Sequence, residues 1–287
     1  MHPRLPSDAA HRDSQHGFTL VEAVMVIAIT GVLAAIVARF IVQPVQLYLA
    51  TVARSNLVDV ADTALRRIGD DLRSALPNSA RVTASGLALE LIPTTGAARY
   101  RTEGTDRLEP GALDTSFDLL GPALTLGASQ QLVFYNLGTG NVGSDAYAPN
   151  GSAAEQRDSN RRGATNAAGP ATIITLDSLA ALPFVSFASP YRVFAVDPPV
   201  SYRCNLGTGT LTRTTGYGFQ ASQPDPPNGG TSGVLATGLT ACRFSYDAAA
   251  VALSAGLVSL EITLATTTPA GTESITLHHE VHVQNVP

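Results

Sequence analysis

A single carboxylate lies inside the longest apolar segment of this chain. From Phe18 to Ala38 there are 21 residues, and Glu22 is the only ionisable side chain among them. A carboxylate in an apolar segment is costly unless a positively charged group lies beside it. Cleavage after Gly17 would create that group, because the new amine of Phe18 is positively charged. Glu22 of a neighbouring copy of the chain could then neutralise this amine.

The same segment is long enough to cross a membrane, since a bilayer core requires about 20 apolar residues in a helix. No apolar stretch precedes Gly17, so residues 1–17 are not an ordinary secretory signal peptide. A plain signal anchor that happens to contain Glu22 is the alternative. It accounts for the hydrophobicity but gives the carboxylate no role.

At these residues the chain resembles the type IV prepilin family, which includes the pseudopilins of type II secretion. The resemblance is carried by the string Gly17-Phe-Thr-Leu-Val-Glu22 and the apolar run that follows it. It implies that a prepilin peptidase cleaves between Gly17 and Phe18 and methylates the new Phe18 amine. It also implies that Glu22 pairs with the Phe18 amine of an adjacent subunit as the filament assembles.

The chain is predicted to have four segments. Residues 1–17 are a leader that is removed, 18–38 a transmembrane and filament-core helix, 39–76 its amphipathic continuation, and 77–287 an extracytoplasmic β-rich head. The leader contains two arginines and two aspartates, so its charge does not define an orientation. The resemblance implies a cytoplasmic N-terminus, a single pass through the inner membrane and a periplasmic head that later reaches the pilus and cell surface.

Beyond the apolar segment, the apolar residues recur at spacings of four and three, which is typical of one helical face. They are Leu57, Ala61, Leu65, Ile68, Leu72 and Leu76. Pro44 lacks a backbone donor and is expected to kink the helix near Phe40, and Pro77 is expected to end it after Leu76. A helix from Phe18 to Leu76 would be about 90 Å long at 1.5 Å per residue.

After Pro77 the pattern changes to short β-rich runs between Gly-, Pro-, Asn- and Asp-rich turns. The predicted strands are Leu87–Ile92, Gln131–Asn136, Thr172–Asp177, Tyr191–Ala195, Val200–Cys204, Thr210–Thr214, Cys242–Tyr246, Val258–Leu264 and Ser274–Val283. The last two are predicted to form a hairpin, and residues 138–169 and 221–233 to form long surface loops. The expected fold class is α+β and pilin-like, with the long N-terminal helix packed on a mainly antiparallel β head.

The chain has two cysteines, Cys204 and Cys242, both at the ends of predicted strands. The head is expected to lie outside the cytoplasm, where disulfides persist, so we predict that these two residues form a bridge. Two free buried cysteines are the alternative. A metal site is less favoured, because neither residue belongs to a CxxC motif or lies near clustered histidines.

Two motif-like strings are better explained without chemistry. Gly138–Gly143 matches G-x-G-x-x-G, but the residues that follow it do not open a helix that would bind a pyrophosphate. His278 and His282 would be about 13 Å apart on one face of a strand, too far for one metal ion. We therefore predict a solvated or partly packed strand face, no metal, no cofactor and no enzymatic activity. All 18 basic residues are arginine, and the net charge of −5 argues against nucleic acid as a partner.

Further strings resemble the MshO family of large minor pilins in the mannose-sensitive haemagglutinin (MSHA) type IV pilus. The main ones are Tyr191–Val196, Pro199–Cys204, Leu211–Arg213, Ala241–Tyr246 and His282–Pro287. The resemblance implies a large minor pilin. A head of residues 77–287 is bulky for a subunit packed along a shaft, so we expect a non-enzymatic subunit that primes assembly or caps the pilus tip. Its partners would be other pilin subunits, prepilin peptidase and the inner-membrane assembly platform. A large minor pseudopilin of type II secretion and a membrane-tethered adhesin head remain alternatives.

Overall fold

The computed structural model describes residues 17–128, 130–252 and 255–287. It contains one long helix, α1 (Leu20–Arg73), one short helix, α2 (Ala153–Gln156), and a 3-10 turn at Phe184–Ser186. The strands, in chain order, are β1 Arg81–Val82, β2 Ala88–Leu91, β3 Thr94–Tyr100, β4 Ser116–Leu120, β5 Leu124–Leu126, β6 Gln131–Phe134, β7 Arg161–Gly163, β8 Gly169–Ala171, β9 Ile173–Thr175, β10 Arg192–Val196, β11 Val200–Asn205, β12 Thr210–Thr215, β13 Thr231–Thr237, β14 Leu239–Ala252, β15 Ala255–Thr268 and β16 Gly271–Gln284. The long helix packed on antiparallel sheets confirms the α+β, pilin-like fold class.

Helix α1 continues through Pro44, which lies inside it without ending it. It ends at Arg73, three residues before the predicted stop at Leu76. The reason lies in the pairing of the following residues with the chain beyond β2. Leu76 donates its backbone N–H to the carbonyl of Ile92, and Ala75 forms an isolated β-bridge with Pro93. These contacts require extended backbone at Ala75 and Leu76. The helix therefore ends before it reaches Pro77.

The first lobe consists of residues 57–93 and 199–287. One sheet has the strand order β1-β2-β11-β12-β13, and a second has the order β14-β15-β16. The amphipathic part of α1 packs mainly on β15 and β16. The buried residues of this helix face and of both sheets form one continuous hydrophobic core.

The second lobe, residues 94–198, is inserted between β2 and β11, which pair with each other in the first lobe. Its main sheet has the order β7-β6-β10-β3-β4-β9, beside a small β5-β8 pair. A separate core lies within it, in which Tyr100, Phe117 and Phe134 pack with ring centroids about 6 Å apart. A smaller apolar cluster that includes Leu76, Ile92 and residues of the second lobe joins the two.

All nine predicted strands are present, and β15 and β16 form the predicted hairpin. Seven further strands were not predicted: β1, β3, β4, β5, β7, β8 and β13. The interpretation of residues 138–169 as a surface loop was wrong in part. This segment contains α2, β7 and buried side chains that include Tyr147, Arg161 and Arg162. It is packed because its polar groups are hydrogen-bonded internally, as described below.

Candidate functional site

The start of α1 is fixed by Thr19, whose backbone is extended and whose hydroxyl oxygen accepts a hydrogen bond from the Glu22 N–H at 3.2 Å. A threonine cap of this kind satisfies one of the free donors at a helix N-terminus. Phe18 therefore lies just outside the helix, and 76 % of its surface is exposed. Glu22 lies in the first turn and is exposed. Gly17 immediately precedes them, and residues 1–16 of the predicted leader lie outside the described residues.

This arrangement places the two predicted assembly groups at one end of the helix. A carboxylate in the first turn of a helix is favoured by the positive end of the helix dipole. If the chain is cut after Gly17, the Phe18 amine lies one helical turn before Glu22. Each copy would then present one positive and one negative group at the same end of its helix. Glu22 and Phe18 are both exposed at this end, and their pairing between copies stays a prediction.

The apolar part of α1 packs against none of the residues that the structure describes. No residue from 18 to 56 is buried. Most of the side chains from Phe18 to Val45 are nevertheless apolar. Within the described residues, α1 is the one helix that is long and apolar enough to cross a membrane. Exposed apolar surface of this extent marks a membrane or protein contact.

The following part of α1 has the opposite character, because it is attached to the first lobe. The predicted face is buried in full: Leu57, Ala61, Leu65, Ile68, Leu72 and, just beyond the helix, Leu76. Ala64 and Gly69 are also buried. The helix is therefore divided into a free apolar half and a half whose apolar stripe covers the sheet of β14–β16.

Polar contacts fix the second half in position. The Tyr202 hydroxyl donates to Asp71 Oδ2 at 2.6 Å, and the Arg213 guanidinium donates to the same oxygen at 2.7 and 2.9 Å. Nearer the apolar half, Arg54 pairs with Glu273 at the tip of the β15–β16 hairpin at 2.8 Å. Neither contact was predicted from the sequence. A signal for the first was available, because Asp71 lies beside the buried stripe instead of opposite to it.

The predicted disulfide is present between Cys204 and Cys242, whose Cα atoms are 6.3 Å apart. Cys204 lies in β11 and Cys242 in β14, so the bridge connects the two sheets of the first lobe. It lies at the same core that receives α1. The bridge therefore holds together the surface on which the helix packs.

A buried carboxylate connects the lobes. Arg81 Nε donates to Glu90 Oε2 at 2.6 Å, and the Tyr217 hydroxyl donates to Glu90 Oε1 at 2.6 Å. The Arg81 guanidinium also lies 3.5 Å from the ring centre of Tyr147 in the second lobe. Burial raises the pKa of Glu90, although both partners oppose the shift. The sequence signal was a single acidic residue inside an apolar predicted strand.

The segment 156–181 is held by a buried arginine in the second lobe. Arg162 is completely buried, and burial lowers its pKa to about 10. Its guanidinium donates to the backbone carbonyls of Gln156, Ser159, Arg161, Ala180 and Ala181. These oxygens replace most of the water that the cation loses, so the residue stabilises the loops around it, while its Nε is buried without a partner among the described residues.

The histidines of β16 lie as the strand pattern predicted. His278 and His282 are exposed on the outer face of the sheet, and His279 points inward beside Gly69 of α1. In the part of the chain that the structure describes, no three His, Cys, Asp or Glu side chains are grouped to hold a metal ion. Gly138–Gly143 is followed by turns, and the next helix begins only at Ala153, which confirms that no helix opens directly after the motif.

Comparison with known proteins bears on the N-terminal segment alone. The family described as "Prokaryotic N-terminal methylation motif" matches residues 12–38, which are 27 of the 287 residues. The chain carries a type IV pilin-like prepilin signal. This signal and the exposed apolar helix together indicate membrane anchoring, and they imply interaction with prepilin peptidase and other pilins in general. No curated protein and no solved structure matches the chain.

Proposed function

We propose that this chain is a non-enzymatic minor pilin that prepilin peptidase cleaves between Gly17 and Phe18 and methylates at the Phe18 amine. The observation that carries the proposal is the division of α1. Its first half is apolar, exposed and preceded by the methylation motif, whereas its second half is attached to a folded head. Such a chain can remain in the inner membrane by its free half and then exchange lipid for the helices of neighbouring subunits.

Pairing between the Phe18 amine and Glu22 of an adjacent copy would set the register of these helices. Opposite charges attract far more strongly in an apolar environment than in water. An unpaired carboxylate there is costly, so a helix that is one turn out of register is disfavoured. The apolar surface supplies the general attraction, and the ion pair selects one arrangement.

The size and position of the head favour a place at the filament tip over a place in the shaft. The second lobe begins at Thr94, next to the C-terminal end of α1, where the Thr94 N–H donates to the carbonyl of Ser74 at 2.9 Å. It therefore extends the head at the end opposite to the apolar half. A subunit with this bulk suits a filament tip better than a closely packed shaft. We accordingly place it as a priming or tip subunit that contacts the inner-membrane assembly platform.

The strings that resemble the MshO family favour an MSHA-like type IV pilus as the filament. A large minor pseudopilin of type II secretion is the second candidate, because the N-terminal signal is common to both systems. A strain in which the gene for this chain is deleted distinguishes the two systems. Loss of surface pili with normal enzyme secretion supports the first, and loss of secretion with normal pili supports the second.

The test of the assembly mechanism is substitution of Glu22 at native expression. We expect Glu22→Ala to reduce the amount of the chain in sheared filaments by at least tenfold, while the cleaved form still accumulates in the membrane. Glu22→Asp, which retains the charge on a shorter side chain, is the matched control and should assemble at an intermediate level. Equal assembly of Glu22→Ala and wild type would contradict the pairing.

A further inference from the structure

Two arginines of the second lobe face each other on neighbouring strands without a counter-charge. Arg99 of β3 and Arg192 of β10 are directly opposite in the antiparallel register, so their side chains lie on the same face of the sheet. Both are exposed. Among the described residues, neither guanidinium forms a hydrogen bond or an ion pair. Like charges at directly opposed positions are destabilising, so this pair has a cost that a bound anion would remove.

The neighbouring arginine on this face differs. Arg101, which follows directly after the end of β3, lies 3.4 Å from the carboxylate of Asp118 on β4. The face therefore has a neutralised arginine next to two that are not neutralised. Guanidinium groups form paired hydrogen bonds with carboxylate, sulfate and phosphate groups, so two adjacent ones form a good site for such a group.

The same face continues into a groove. Two residues further along each strand, Ala97 and Phe194 lie opposite each other on the same face and line a groove of about 330 Å³ at the end of α1. Its remaining lining includes Arg73, which is paired with Asp70, and the polar residues Ser74, Thr95 and Gln284. The Ser74 and Thr95 hydroxyls donate to backbone carbonyls of the protein, so they offer a ligand acceptor oxygens. The groove is therefore bordered by these oxygens and an amide group, has a small apolar floor, and has the two arginines next to it.

These features favour a sugar chain over a peptide. Both β3 and β10 are interior strands with a neighbour on each side, so the face offers no free strand edge to which an extended peptide could pair. Hydroxyl and amide groups beside a small apolar floor suit the hydroxyl groups and ring faces of sugars. A carboxylate or sulfate on the sugar would lie between the two guanidinium groups.

The location disfavours a lipid headgroup. Ser74, at the groove, lies 20 residues along α1 from Arg54, which is about 30 Å at 1.5 Å per residue. The groove is thus at the end of the head that is remote from the apolar half of the helix. That this end faces outward from the cell rests on the proposed function.

We propose that the face defined by Arg99, Arg192 and the adjacent groove binds an acidic polysaccharide. The test uses the full chain purified in detergent and immobilised, with polygalacturonate as the carboxylate probe and dextran sulfate as the sulfate probe. We expect binding of at least one of them and no binding of neutral dextran. Arg99→Gln and Arg192→Gln should each weaken binding on the order of tenfold, as expected for a lost charge-assisted contact. Because exposed charges are screened by salt, binding should also weaken as the salt concentration rises.

Arg157→Gln is the matched control, since it removes one exposed arginine of the second lobe that lies outside this face. It should bind both probes as wild type does. An equal loss in Arg157→Gln would show a general charge effect and overturn the proposal. Equal binding of poly-glutamate would overturn the preference for sugars, and equal binding of phosphatidylglycerol vesicles would show a lipid site instead. Unchanged circular dichroism of each variant excludes misfolding. The assay needs no assembled filament, so its failure would leave the proposed processing and assembly untouched.

Discussion

Removal of the Cys204–Cys242 bridge should destabilise the first lobe by a predictable amount. The two residues are separated by 38 positions in sequence. A crosslink that closes a loop of this length reduces the entropy of the unfolded chain by an amount equivalent to about 4 kcal/mol at 25 °C. The double variant Cys204→Ala/Cys242→Ala should therefore lose about 4 kcal/mol of unfolding free energy.

The assay is urea unfolding of a fragment containing residues 51–287. Every buried residue of the described chain lies at Leu57 or later, so this fragment retains both lobes and lacks the apolar half of α1. Far-ultraviolet circular dichroism reports both lobes. With a slope of roughly 3 kcal/mol/M, the midpoint of the first lobe should fall by about 1.3 M urea. The second lobe has its own core and lies outside the closed loop, so its transition should not move.

The matched control is the wild-type fragment in the presence of a reductant. Its unfolding curve should coincide with that of the double variant, because both lack the crosslink. If the oxidised wild type and the double variant had the same midpoint, the bridge would not stabilise the lobe and the argument would be refuted. A shift confined to the second lobe would refute the assignment of the bridge to the first.

Three further predictions concern the attachment of α1 and the junction between the lobes. Asp71→Asn should lower the unfolding free energy by about 2 kcal/mol, because it weakens charge-assisted hydrogen bonds. Asp62→Asn weakens only an exposed pair, so it should lower the unfolding free energy by less than about 1 kcal/mol. Equal urea midpoints for the two variants would contradict the difference. Because the pKa of Glu90 is raised in the folded state, that state binds more protons, and wild-type stability should fall as the pH rises from 4.5 through the folded pKa. Urea titrations at several pH values should show a flatter profile for Glu90→Gln, and identical profiles would count against the raised pKa. Gly69→Leu should lower the unfolding free energy by about 1–3 kcal/mol, because the added side chain would be overpacked against His279. Thermal unfolding measures this effect, and an unchanged melting temperature would rule out the close contact.

The sequence was sufficient where a periodic pattern coincided with burial. The stripe from Leu57 to Leu76 repeats at helical spacing, and the sheet that covers it buries all of its predicted members. The β15–β16 hairpin was predictable for the same reason, since alternating apolar residues lie on both strands. Glu22 was identified as a candidate site because a carboxylate in an apolar segment is costly without a partner. Phe18 was identified because cleavage after Gly17 would give it a positively charged amine.

The second lobe was predicted only in part: β6, β9 and β10 were expected, but its other strands and its packed loops depend on polar side chains and on pairing with distant strands. Strand β3 has the sequence Thr-Thr-Gly-Ala-Ala-Arg-Tyr, with few apolar residues, and it forms because β10 and β4 pair with it. Arg162 is buried in a segment whose composition indicates a loop, and its burial is possible only because five backbone carbonyls converge on it. These carbonyls come from separate segments of the chain, so no local sequence pattern predicts that Arg162 is buried.

The central claim is that this chain is a processed prepilin, and N-terminal mass spectrometry tests it most directly. The protein would be recovered from cells with and without prepilin peptidase. A terminal peptide that begins at N-methyl-Phe18, present only when the peptidase is present, is the predicted result. An intact leader in both strains would mean that the chain is a plain membrane anchor, and it would contradict both the processing at Gly17 and the pairing of Glu22 with a Phe18 amine.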